Sequence, residues 1–240
     1  MLLEASREAI GRGAYAEAVA LAEELLDECP DDTEALLLVA DAAPRYGHAE
    51  VGFLAAKQAA ARGADVGATE AAALLAACQV ERALEVADAI LAGRPDLARA
   101  HAIRGQALEL LGRLDEARAA LARAAALNPA HFPPPLEVAG DAWDALLFEA
   151  ISGLEPSLRD ALRRVDVLFA DLPVLTQLQG IFPPPSPLVD ALLQEADGQK
   201  PRIVLYRRNL VRGTANADEL AERLRDALQT EAEILLEGGG

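Results

Sequence analysis

Aromatic side chains are scarce, at 4% of 240 residues with a single tryptophan, so the core has to be built from aliphatic and small side chains. Basic residues number 22 against 39 acidic ones, and the formal net charge of -17 excludes the clustered positive surface that nucleic acid requires. No run approaches the roughly 18 uninterrupted apolar residues that cross a membrane. The start, Met1-Leu2-Leu3-Glu4, lacks the basic stretch and cleavage site of a secretory signal, so a soluble cytoplasmic protein is expected. The two cysteines, Cys29 and Cys78, have no metal-type spacing and read as buried or half-buried free thiols. Lys57 and Lys200 are the only lysines, an arginine bias that looks like a GC-rich bacterial genome. There is no GxxxxGK[ST] loop, no GxGxxG after a strand and no GxSxG elbow, which excludes the common nucleotide-binding and serine-hydrolase signatures.

What the chain does have is internal repetition. Ala18 to Pro30, Ala83 to Pro95 and Ala117 to Pro129 align without gaps, each a helical pattern that starts on an alanine and ends in proline. The spacing from Pro95 to Pro129 is 34, and that from Pro30 to Pro95 is 65, three short of two such periods. A fainter unit lies between them, Glu34 to Ala40, a turn at Tyr46-Gly47, then Val51 to Arg62. In the clearest unit Ala102 to Leu111 is one helix, Gly112-Arg113 the turn and Leu114 to Leu127 the second helix. Helical pairs of this kind each expose an apolar stripe that only stacking neighbours can cover. Gly47 and Gly112 permit the turns, and Pro30, Pro95 and Pro129 stop the helices.

Gly105, Gly112, Ala117 and Pro129 fall where a tetratricopeptide unit has small residues, a turn and a stop, while His101, Leu108 and Leu121 replace its large aromatics. The first half thus resembles a four-repeat tetratricopeptide array over residues 1–129. That resemblance implies a concave groove, lined by the first helix of each pair, that binds a protein or peptide segment. Glu34, Asp41, Arg99, Gln106 and Glu109 are the groove candidates by position. A clamp for a C-terminal carboxylate would need several groove cations, and only Arg99 and Arg104 qualify.

The sequence then changes character. Residues 130–141, with Pro133-Pro134-Pro135, read as a proline-rich linker. Trp143 to Gly153 and Ser157 to Arg164 read as helices, the second started by Glu155-Pro156. Val165 to Ala170 and Arg202 to Tyr206 read as strands, Pro183 to Pro187 as loop, and Ala217 to Leu236 as a closing helix. The expected fold is mainly α, an α-solenoid of about four hairpins followed by a small α+β domain over 142–240. Trp143 is an ordinary core aromatic in this reading, and Arg202, Arg207, Arg208 and Arg212 are expected to pair with the chain's own acids.

The segments WDALLFEAISGLEPSLRDALRRVDVLFADLP, PRIVLYRRNLVRG and DELAERLRDALQTEAEILLEG resemble the minimal zincin-like metallopeptidase family, whose last helix carries HExxHxxGxxD. Here Thr230 and Ile234 stand at the two histidine positions, Gly240 stands at the aspartate, and only Glu231 matches, at the general base. Zinc binding on such a helix needs two imidazoles on one face at i and i+4. The only histidines are His48, His101 and His131, so no metal or other cofactor is expected. Glu231 is then a vestigial catalytic residue. The chain is expected to be a non-catalytic adaptor or scaffold with a pseudo-metallopeptidase second module. The alternative is a zinc metallopeptidase with a non-standard or partner-completed site.

Overall fold

The computed structural model describes residues 1–11, 14–46, 48–62, 66–181, 184–195, 200–214 and 216–238. The first eight helices pair as α1 (Leu2–Gly11) with α2 (Tyr15–Glu28), α3 (Thr33–Ala42) with α4 (Ala49–Ala61), α5 (Gly67–Ala76) with α6 (Val80–Gly93) and α7 (Ala98–Leu110) with α8 (Leu114–Leu127). One backbone bond recurs at the bend of every pair, an N–H donating to the carbonyl five positions back. It runs from Ala14 to Ala9, His48 to Ala43, Gln79 to Leu74 and Arg113 to Leu108, all at 2.9 Å. Successive bends are therefore spaced by 34, 31 and 34 along the chain. The shortfall of three seen between Pro30 and Pro95 falls in the third pair, where α5 has 10 residues against 13 in α7.

Proline sets the far end of each unit. A residue before proline is sterically pushed out of the helical region. Accordingly Cys29, Arg94 and Asn128, before Pro30, Pro95 and Pro129, take nearly the same conformation, φ -132 to -150° and ψ 75 to 80°. Being at this exit, Cys29 is exposed, which corrects the expectation of a half-buried thiol; Cys78 is buried. Asp32 caps α3 by accepting from the Ala35 N–H at 3.0 Å.

The first helix of each pair puts a small residue at the crossing. Relative to the recurring bond, the same position holds Ser6, Ala40, Ala71 and Gly105, and its opposite number holds Ala22, Ala56, Ala87 and Leu121. A further inner position holds Ala18, Gly52, Ala83 and Ala117, all buried. Gly52 is needed because a Cβ there would lie 2.5 Å from the Pro44 ring. Two apolar clusters result, one in the first two pairs around Leu36 and Val39, the other around Leu74, Leu84, Ile103 and Leu108 of the last two.

The turn at Gly112 has φ +76°, and Cys78, at the same place one repeat earlier, adopts φ +59°. The turn predicted at Tyr46-Gly47 falls partly outside the described residues, since Gly47 is not among them. Nothing lies within 4 Å of a Cβ built on Gly112, so only backbone strain opposes a side chain there. Gly112→Ala is therefore expected to cost about 1 kcal/mol, read as a lower denaturation midpoint with unchanged slope.

The rest of the chain forms α9 (Ala142–Ser152), α10 (Pro156–Leu162), β1 (Asp166–Ala170), α11 (Leu175–Leu178), β2 (Ala191–Gln194), β3 (Arg202–Tyr206), α12 (Arg207–Leu210) and α13 (Ala217–Gly238). The sheet has the order β1-β3-β2; β1 runs parallel to β3, and β2 antiparallel to it with Leu193 opposite Ile203. The described residues are mostly helical, with this three-stranded sheet as their β component. β2 was not expected from the sequence. Asn209 fastens its start by donating to the Val189 carbonyl at 2.6 Å, and Arg223 of α13 grips Asp190 with two bonds of 2.6 and 2.8 Å.

Two compact units emerge, Met1–Phe132 with Val174–Leu188, and Pro133–Pro173 with Val189–Gly240. Within the stretch read as a linker over 130–141, Leu136 and Val138 pack against the second unit's core. That core is built from Trp143, Leu158, Ile203, Leu205, Leu220, Leu224 and Leu228.

Candidate functional site

In the array, the first helices of successive pairs are neighbours, α1 against α3, α3 against α5 and α5 against α7. They therefore form one continuous face, and Glu34 and Asp41 lie seven positions apart on α3, as Arg99 and Gln106 do on α7. A spacing of seven is two helical turns, so each pair shares a side. The candidates differ in what they already hold. Glu34 accepts from Arg7 of α1 at 2.9 Å, with both side chains largely exposed. Asp41 accepts from Arg99, an ion pair between α3 and α7 with 20% and 33% of the two side chains exposed. Gln106 is half-buried and Glu109 buried. Arg104, the other groove cation, donates to Asp88 of α6 at 2.6 Å.

Arg99 and Asp41 thus bridge pairs two and four, with α5 between them. That helix, GATEAAALLA, is mostly glycine and alanine along this stretch and offers few side chains to fill the span. Exposed pairs such as Arg7–Glu34 contribute little to stability, about 0.2–1 kcal/mol. They leave a face whose charges are matched internally, rather than a cationic clamp. The sequence placed the five residues on two helices and missed their pairing, which depends on how far α3 and α7 are brought together.

In the second unit the helix that aligns with a metal motif is α13. Thr230 is exposed and donates its hydroxyl to the Asp226 carbonyl of its own helix at 2.9 Å. Ile234 is 48% exposed. These two residues share a face, and neither can ligate zinc, so the positions do not fit the ion. The Gly240 position lies outside the described residues. Among the described residues no group of three or more His, Cys, Asp or Glu side chains is placed to hold a metal.

Glu231 lies on a different face and is 8% exposed. Its carboxylate accepts the Leu193 N–H at 2.6 Å. Asp190 accepts from the Tyr206 N–H, so by alternation Leu192 and Gln194 face β3 while Leu193 turns its N–H to the open side of β2. Glu231 therefore caps the free edge of the sheet, the place where another strand would otherwise pair. Burial pushes the Glu231 carboxyl above its ordinary value, and the Leu193 N–H bond offsets part of that rise.

The folded chain thus holds this proton more tightly than the unfolded one. The carboxyl's contribution to stability is full below its ordinary value of 4.5 and is lost as pH rises through the higher folded value. Glu231→Gln keeps an acceptor for Leu193 and removes the charge. It is expected to melt above the parent at pH 8, with the two converging by pH 4, as thermal melts across pH will read.

The four arginines near β3 are tied down differently from one another. Arg202 donates to the neutral Gln194 at 3.0 Å, and Arg212 donates to Asn209 at 2.9 Å and has a further interaction partner. Arg207 lies 3.7 Å from Asp171 and stacks over Phe169. Arg208 also has an interaction partner.

No protein-family model matches the chain, and no curated protein matches it. Among solved structures it is similar to a thermophilic TPR protein of Thermus thermophilus, at 27% identity and TM-score 0.47, covering 53% of this chain and 73% of that one. It is also similar to MamA, residue 41 to the end, of Desulfovibrio magneticus RS-1, at 24% identity and TM-score 0.41, covering 54% and 75%. No helix among the described residues is long and apolar enough to cross a membrane.

Proposed function

We propose that the protein is a non-catalytic adaptor, in which a tetratricopeptide-type array over residues 1–129 binds a protein segment. The observation that carries this reading is the continuous face formed by α1, α3, α5 and α7. Such a face presents several helices side by side to an extended ligand, as stacked repeats do generally. The degenerate zincin-like domain over 142–240 serves as a second recognition or positioning module. The state of Glu231 supports a role without catalysis, since a general base has to reach a bound water and this carboxylate is spent on the Leu193 amide. Gln106, half-buried between the Arg99 bridge and Glu109, is the groove residue best placed to read a partner.

The test is a pull-down with the intact chain beside its Gln106→Arg and Glu231→Gln variants, with peptidase activity assayed in parallel. A protein retained by the parent and by Glu231→Gln, and lost with Gln106→Arg, supports the groove. Peptide cleavage that Glu231→Gln abolishes would overturn the adaptor reading in favour of the metallopeptidase.

A further inference from the structure

Twenty residues, 171–190, join β1 to β2 and carry only the short α11 among the described residues, whereas connections in compact domains are typically about 4–6 residues long. Their middle, Val174–Leu188, groups with the helical array rather than with the sheet that it connects. Leu175 and Leu188, at its two ends, pack against the cluster of the third and fourth pairs around Leu74, Leu84, Ile103 and Leu108. Leu178 is 1% and Ser186 4% exposed, and Ser186 accepts from the Leu188 N–H at 3.2 Å, which shapes the second anchor. The composition is as unusual as the placement. From Leu172 to Val189 there is no charged residue, in a chain that is 25% charged. Pro184 and Pro185 stiffen the backbone that leads into the turn at Pro187 and Leu188, which lowers the ordering cost of lying along a surface.

Apolar anchors at both ends, an uncharged body and stiff prolines are the properties of a peptide ligand. We infer that residues 174–181 and 184–188 are a built-in ligand of the third and fourth helical pairs, held there in competition with a partner. The partner segment has the same chemistry: uncharged, proline-bearing, with two leucine-type anchors. This rests on the reading of the array as a protein-binding module and names the class of segment that it takes. A tethered segment acts at an effective concentration of about millimolar, so one whose own intrinsic Kd is about 100 µM weakens a competing ligand about tenfold.

The probe is a synthetic peptide of residues 174–188, titrated into three full-length chains: the parent, one with 174–188 replaced by a Gly-Ser stretch of equal length, and Leu175→Asp/Leu188→Asp. Circular dichroism checks that each folds. The expected result is binding to both variants about tenfold tighter than to the parent, and none by a peptide carrying aspartate at both leucine positions. Equal affinity for parent and variants, or no binding to folded variants at millimolar peptide, overturns the inference.

Should neither variant fold, the intact chain still decides. Excess peptide has to lower the hydrogen-exchange protection of the Gln177, Leu178 and Gln179 amides, which bond to Val174 and Leu175 carbonyls within the segment. Unchanged protection overturns the inference. A partner lost with Gln106→Arg but no binding of the peptide would remove the built-in ligand and leave the adaptor reading standing. Binding of the peptide without any such partner would do the reverse.

Discussion

Trp143→Ala is expected to lower the stability of the second unit by about 3–5 kcal/mol, the usual cost of emptying a large aromatic site. The indole is 4% exposed and belongs to the cluster with Leu158, Ile203, Leu205 and Leu224. It packs at 56° against Phe169 with ring centres 5.1 Å apart, an arrangement that adds about 0.5–1.5 kcal/mol beyond buried area. The Arg207 guanidinium lies 5.0 Å from the Phe169 ring centre and 5.9 Å from that of Trp143. Its buried Nε has no hydrogen-bond partner among the described residues, so the two rings are its neighbours in place of an acceptor. Truncating the tryptophan opens a cavity and strips that cation of one ring. Domains of this size are held by about 5–15 kcal/mol in total, so the loss removes a large share. Hydrogen exchange reads it directly, as weakened protection of the β3 and α13 amides. Retained protection there would mean that the indole fills space others can take over. Phe169→Leu keeps most of the volume and is expected to cost less.

The array was legible because its signals are local. Pro30, Pro95, Pro129 and Gly112 each act on backbone within a position or two, and a stop or a turn needs no distant partner. The shortfall of three was countable too, although only the bend bonds locate it in α5. The second unit was read less well. β2 is Ala191-Leu192-Leu193-Gln194, too short to alternate and without β-branched residues, so propensity carries no trace of it. What makes it a strand is β3 beside it and Arg223 and Asn209 holding its start. The same holds for Glu231. A motif comparison isolates it as the survivor of a metal helix, but its present partner is an amide 38 positions away that exists only once β2 has formed. Residues 174–188 illustrate the converse case. Their prolines announced a loop, as found at Pro184, Pro185 and Pro187, with Pro183 outside the described residues, and nothing local could say that Leu175 and Leu188 lie against helices from much earlier in the chain.

Gly105→Val is expected to cost the array about 3 kcal/mol or more, at the upper end of overpacking penalties. A Cβ on Gly105 would sit 2.6 Å from Leu121 Cγ and 2.7 Å from its Cδ2, and 3.2 Å from the Leu121 backbone nitrogen. Rotation about χ2 leaves Cγ in place, so turning the end of the leucine side chain does not clear the first contact, and valine's two methyls have still less room. Gly105→Ala meets the same contact with fewer atoms. Its penalty of about 1–3 kcal/mol is partly offset by alanine's helix preference over glycine, worth about 1 kcal/mol. The other three pairs show how the crossing tolerates a side chain. They place Ser6 opposite Ala22, Ala40 opposite Ala56 and Ala71 opposite Ala87, so a larger residue on one helix is met by a small one on the other. Gly105→Ala/Leu121→Ala rebuilds the alanine pair of the third unit in the fourth. The double variant is accordingly expected to lose less than the sum of its single changes by about 1 kcal/mol, a coupling of the size that touching residues show. Additive losses in a denaturation cycle would mean that the leucine, rather than the close approach of α7 and α8, holds the last pair together.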